Sequence, residues 1–111
     1  MGYNEHLAKR IRAALTVFPY EFKEKKMFGG LSFLYQNKMT IGVVKDDLAV
    51  RVVPGKMEEI LQLEAVRPMD FTKRPMKEFV FVSPQGFQTE EALHQWIELG
   101  LEHAQFKLKE S

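Results

Sequence analysis

The sequence predicts an α+β fold: a two-layer sandwich of order α-β-β-β-α-β-β-α, with helices packed on one face of a five-stranded antiparallel sheet. Three observations predict it. Leu31, Phe33 and Tyr35, then Met39, Ile41 and Val43, then Leu48, Val50 and Val52 alternate with lighter residues in three runs joined by short turns, the pattern of half-buried strands in a meander. Both ends of the chain repeat apolar residues every three or four positions instead, the period of a helix. Between them lies Arg67 to Lys77, interrupted by Pro68 and Pro75 and followed by Phe79-Val80-Phe81-Val82, which reads as a strand end, a stiff loop and a buried strand. The 111 residues suit one domain, 1–111.

The first helix is expected from Asn4 to Phe18. Leu7, Ile11, Ala14, Leu15 and Phe18 share one stripe, Asn4 suits the N-cap, Glu5 suits the first turn, and Pro19 ends the pattern. Lys9 and Arg12 lie on its outer face, either solvated or available to phosphate. Tyr20 to Lys26 is polar and extended towards its end. Paired Gly29 and Gly30 at the start of the next strand suggest a bulge or a close backbone approach. They do not form a phosphate-binding motif, because neither G-x-G-x-x-G nor G-x-x-x-x-G-K-[ST] is present. Gln36-Asn37-Lys38 and Lys45-Asp46-Asp47 make the turns of the meander. Its first face is large and apolar and should carry the helices. The second, with Ser32, Leu34, Thr40, Gly42, Val44, Ala49 and Arg51, is lighter, and is either partly wet or covered by a partner.

After Pro54-Gly55 a short helix is expected over Lys56 to Leu63, with Met57, Ile60, Leu61 and Leu63 inward. A strand over Val66 to Asp70, a loop over Phe71 to Lys77 and a strand over Glu78 to Val82 follow, with Phe79 and Phe81 on the core face. Ser83 to Gly86 turns the chain. Thr89 caps the last helix, with Glu90 and Glu91 in its first turn. Its inner stripe is Leu93, Trp96, Ile97, Gly100, Leu101 and Ala104, with Gly100 permitting close packing. A second stripe of Leu99 and Phe106, flanked by Trp96 and His103, makes the apolar arc wider than one sheet requires. Either the last turn wraps a core edge or a second subunit covers it.

Composition narrows the function. With no cysteine, disulfides and thiolate zinc sites are excluded. No run approaches the ~20 apolar residues of a membrane span, and residues 1–6 lack the apolar core of a signal peptide, so a cytoplasmic protein with no membrane partner is expected. A net charge of +1 gives no global pull onto a polyanion. His94 and His103 lie nine positions apart, on nearly opposite faces of one helix, so they cannot share a metal. No serine sits in a nucleophile elbow, and Asp46-Asp47 falls in a turn where aspartate is favoured for backbone reasons. No catalytic, metal-binding or cofactor-binding residue is therefore expected. The strongest local basic cluster is Arg67, Lys73, Arg74 and Lys77, near Lys25 and Lys26, a candidate contact for an anionic partner.

Lys26-Met27-Phe28-Gly29-Gly30-Leu31, Asn37-Lys38-Met39, Val50-Arg51-Val52 and Met69-Asp70-Phe71-Thr72-Lys73-Arg74-Pro75-Met76-Lys77 together resemble the N-terminal domain of the TfoX (Sxy) competence regulators. The resemblance implies the α+β fold already described and a regulatory role in DNA uptake, and it offers no catalytic residues. It points to a stand-alone single-domain member. Two positions depart from the family pattern: Lys73 and Glu78 stand where glycine is usual. If those glycines serve a left-handed turn, this chain must shape the loop differently or carry strain.

The leading expectation is a non-enzymatic module that binds another protein, as a homodimer through Trp96, Leu99, His103 and Phe106. The second is direct nucleic-acid binding through Arg67, Lys73, Arg74 and Lys77. The third is a small-molecule site at the Gly29-Gly30 bend and the Phe71 to Met76 loop.

Overall fold

A computed structural model describes residues 3–27, 29–68 and 78–110. Helix α1 (Glu5–Leu15) is followed by strands β1 (Lys23–Met27), β2 (Gly30–Tyr35), β3 (Lys38–Val44) and β4 (Asp47–Arg51), then helix α2 (Pro54–Leu61). Strands β5 (Val66–Pro68) and β6 (Phe79–Val82), a 3-10 turn (Pro84–Phe87) and helix α3 (Glu90–Glu110) complete the described chain. The strands form one antiparallel sheet of order β1-β2-β3-β4-β6-β5. Among the described residues no helix is long and apolar enough to cross a membrane.

The sheet has six strands, not five. The extra one is β1, Lys-Glu-Lys-Lys-Met, whose first four residues are exposed. It carries no apolar alternation because it is an edge strand, where lysines deter pairing with another chain. What holds it is the ladder to β2 and a forked ion pair: Arg12 on α1 donates from Nε and Nη2 to the two oxygens of Glu24, at 2.7 and 2.9 Å. Lysine-rich β1 and Arg67 of β5 therefore occupy opposite edges of the sheet. Five strand spacings of about 4.8 Å separate them by roughly 24 Å, so Lys25 and Lys26 do not join Arg67 in a basic cluster.

Helix α1 starts where expected, with the Asn4 side chain accepting from the His6 and Leu7 N–H groups. It ends at Leu15, short of Phe18. Thr89 likewise caps α3, accepting at Oγ1 from the Ala92 N–H. The main core lies between one sheet face and the helices. Ile11, Phe33, Ile41, Val50, Val80 and Ile97 are among its fully enclosed members, and Met57, Ile60 and Leu61 of α2 pack against its margin. Each such aliphatic side chain contributes about 1.5–3 kcal/mol on full burial.

Two face assignments from alternation need correction. Phe79 and Phe81 point away from the main core, which Val80 and Val82 fill instead; Phe79 joins Met39 and Ala49 in a smaller cluster on the second face, with Phe81 and Val44 against it. Met39 also changes sides. The β2–β3 register shifts between Phe33 and Leu34, so that Phe33 faces Ile41 while Leu34 faces Met39. Thr40 is the extra residue, a bulge that reverses inside and outside for the start of β3. Its hydroxyl donates to the Phe33 carbonyl at 2.9 Å. Its own carbonyl backs onto α3 at Gly100, where a Cβ would collide with the Thr40 backbone. The close approach expected at Gly100 is thus real.

Candidate functional site

The family-motif residues serve the scaffold in several ways. Gly29 turns the chain with φ +75°, and a Cβ on Gly30 would strike the Val43 carbonyl, so both glycines are required for backbone reasons. Met27 pairs with Gly30 across the hairpin. Lys38 opens β3 opposite Tyr35, after a turn in which Gln36 and Asn37 both adopt positive φ. Met39 is buried on the second face. Phe28, Asp70, Phe71, Thr72, Lys73, Arg74, Pro75, Met76 and Lys77 lie outside the described residues. Of the candidate anion contacts, Arg67 is already committed. Its Nη2 meets Asp47 Oδ2 at 2.5 Å, its Nη1 donates to Ser83 Oγ at 3.2 Å, and its guanidinium sits 4.9 Å from the Phe81 ring centre.

Two places on α3 stand out. The first is near its C-terminal end. Arg51, at the end of β4, lies 4.6 Å from the centre of the Phe79 ring. Glu78, just before β6, accepts or shares a proton with His103 Nε2 at 2.8 Å and receives Lys107 Nζ at 3.4 Å. His103 is fully enclosed. Among the described residues two buried side-chain nitrogens lack a hydrogen-bond partner, Arg51 Nε and His103 Nδ1. Burial pushes the His103 pKa down, against the pull of Glu78, and the positive charge of Arg51 adds to the depression. Desolvation works to raise the Glu78 carboxyl, but the hydrogen bonds from His103 and Lys107 outweigh it and hold it below the usual carboxylate range. Arg51 is also shifted down by burial.

Glu78 itself has φ +69°. This is the left-handed conformation for which glycine is the usual choice, and a side chain there costs about 1–2 kcal/mol. The carboxylate offsets the strain by satisfying His103 and Lys107. Alternation gave no hint of this role. The one signal was glutamate at a position where the resemblance expects glycine.

The second place is a groove of about 490 Å³ between α2, β5, the 3-10 turn and α3, lined by Ile60, Leu63, Glu64, Trp96, Leu99 and their neighbours. Trp96 turns its polar end inward, donating from Nε1 to the Gly86 carbonyl at 2.9 Å, which leaves hydrocarbon towards the groove. Leu63 lies beyond the end of α2 and is 48% exposed, not inward as the helical period suggested. The groove includes two of the four residues expected at a dimer contact, Trp96 and Leu99. His103 is interior and Phe106 is exposed, so a homodimer built on that arc would have Leu99 and Phe106 to work with.

Among the described residues no three histidine, aspartate or glutamate side chains group as a metal site. Fold and surface define a single-sheet α+β domain, helix-backed on one face, with an open apolar groove between two helices. The chain belongs to the TfoX N-terminal domain family, which matches residues 19–104 of its 111. No curated protein matches the chain.

Proposed function

We propose that this domain is a non-enzymatic regulatory module, of the kind found in competence regulators, that acts by docking onto another protein. The observation that carries this reading is the groove between α2 and α3. Leu63, Leu99 and Ile60 leave hydrocarbon at the surface beside a tryptophan whose own polar atom is satisfied internally. Exposed apolar surface gathered in a concavity is costly to maintain unless something covers it, and tryptophan is the residue most enriched among binding hot spots. The basic alternative, direct contact with nucleic acid, is weakened at Arg67 by its bonds to Asp47 and Ser83.

The test is affinity purification of the tagged chain from its host, with Leu99→Glu alongside. A protein recovered in stoichiometric amount with the parent and lost with the variant, both folded by circular dichroism, is expected. Salt-sensitive binding of DNA with no protein partner would overturn the reading.

A further inference from the structure

The apolar floor of the α2–α3 groove has an acidic frame. Of the described residues that line it, Glu64 is the charged one. On the α3 lip Glu91, Gln95, Glu98 and Glu102 follow one another at helical spacing, and Glu91, Gln95 and Glu98 are exposed. On the α2 side Glu59 is exposed as well. The lysine at this end, Lys56, is held by Glu102 at 2.8 Å. That ion pair also fixes the geometry. Lys56, at the start of α2, lies against Glu102, while Leu63, just past its end, lies by Gln95 and Trp96. The two helices thus run antiparallel, and the groove opens beside the C-terminal end of α2, where Ile60, Leu63 and Glu64 face Gln95, Trp96 and Leu99.

We infer that the groove receives a short basic amphipathic helix of another protein, which lays large apolar side chains at i, i+3 or i+4, and i+7 against Leu63, Trp96 and Leu99 and sets lysine or arginine over Glu64 and Glu98. This inference rests on the interaction reading above and adds the chemistry of the partner. A slot between two helices is the shape that takes an amphipathic helix by its apolar face. The acidic frame selects sign: a lysine-rich segment gains attraction at both lips, whereas an acidic one is repelled. A second copy of this chain fits less well. Its helical cations Arg10, Arg12, Lys56 and Lys107 are held by its own Glu90, Glu24, Glu102 and Glu78, and the lysines of β1 belong to an extended edge.

The experiment is selection of binders from a random 16-residue peptide display library on the immobilised full chain. The selected peptides are then titrated in solution against the fluorescence of the single tryptophan. Enriched peptides should carry net positive charge, with large apolar residues at helical spacing. They should change Trp96 emission saturably and bind more weakly as salt rises. Leu63→Ser should weaken them, and the double reversal Glu64→Lys with Glu98→Lys should cost about tenfold in affinity. The inference is overturned by a selection that enriches nothing, or neutral or acidic sequences. Binding indifferent to both variants overturns it too, as does a Trp96 signal that changes on dilution of the chain alone and so marks a second copy as the occupant. A host protein whose binding survives the charge reversal ends the inference but leaves the interaction reading standing; the absence of any protein partner ends both.

Discussion

The two halves of α3 solve the same problem in opposite ways. Near Trp96 the aromatic polar atom is satisfied by the Gly86 carbonyl and the hydrocarbon is left open to a groove. Near His103 the ring is sealed completely, one nitrogen is tied to Glu78 and the other has no partner among the described residues. The first half keeps its polar groups content and exposes apolar surface, which is the state of a surface awaiting a ligand. The second encloses its ring and retains a nitrogen with no partner among the described residues, which is the state of a structural latch under tension. Stability should therefore be concentrated at the C-terminal half, and binding at the N-terminal half.

Gly100 lies between the two and supports both, so its substitution should have the largest effect. A methyl group there would overlap the Thr40 backbone and push α3 off β3. Gly100→Ala is expected to cost about 3 kcal/mol, read from urea unfolding, and to disturb groove and latch together. The latch alone is next. Glu78→Ala should cost about 2 kcal/mol by stranding the buried His103 ring. Glu78→Gly should cost about 1 kcal/mol, since it loses the same bonds but relieves the left-handed backbone. Equal losses in the two variants would show that the positive φ carries no strain.

A smaller effect should appear with pH. The folded state depresses His103 below its usual 6.5, so the unfolded chain takes up that proton first. Stability present above 6.5 is lost as pH falls from there towards the folded-state value. Glu78, held below 4.5, adds a second loss as pH falls past 4.5. Urea midpoints measured from pH 8 to 4 should decline in acid, and His103→Phe should remove the earlier decline. Arg51 and Lys107 also face this cluster, and their positive charges add to the depression of His103. The smallest effect belongs to the open half: Leu63→Ser should change stability by no more than about 0.5 kcal/mol, with the same difference from the parent at pH 8 and at pH 6, because Leu63 is half exposed.

What was legible in the sequence was whatever burial writes into alternation. Strands β2, β3 and β4 and all three helices announce themselves by apolar period, β6 by an unbroken apolar run, and both glycines of the first hairpin and Gly100 by their position in those patterns. Strand β1 was missed because an edge held by hydrogen bonds and the Arg12–Glu24 fork needs no apolar face. Phe79 and Phe81 were placed on the wrong side because all four residues of β6 are apolar, and such a run does not say which pair faces the helices. The groove was half visible: Trp96 and Leu99 were marked by an overly wide apolar arc. Leu63 and Glu64 come from a different element, and their meeting with α3 depends on the path of the chain after α2. The latch was legible only as an anomaly at Glu78.

Thr40 has a consequence for how this chain is compared with its relatives. One unpaired residue in β3 swaps the layers for everything between it and the preceding turn. An alignment that keeps the odd–even rhythm unbroken through position 40 would assign Lys38 and Met39 to the layers they do not occupy. The two residues before the bulge read in the opposite phase from Ile41 and Val43 after it.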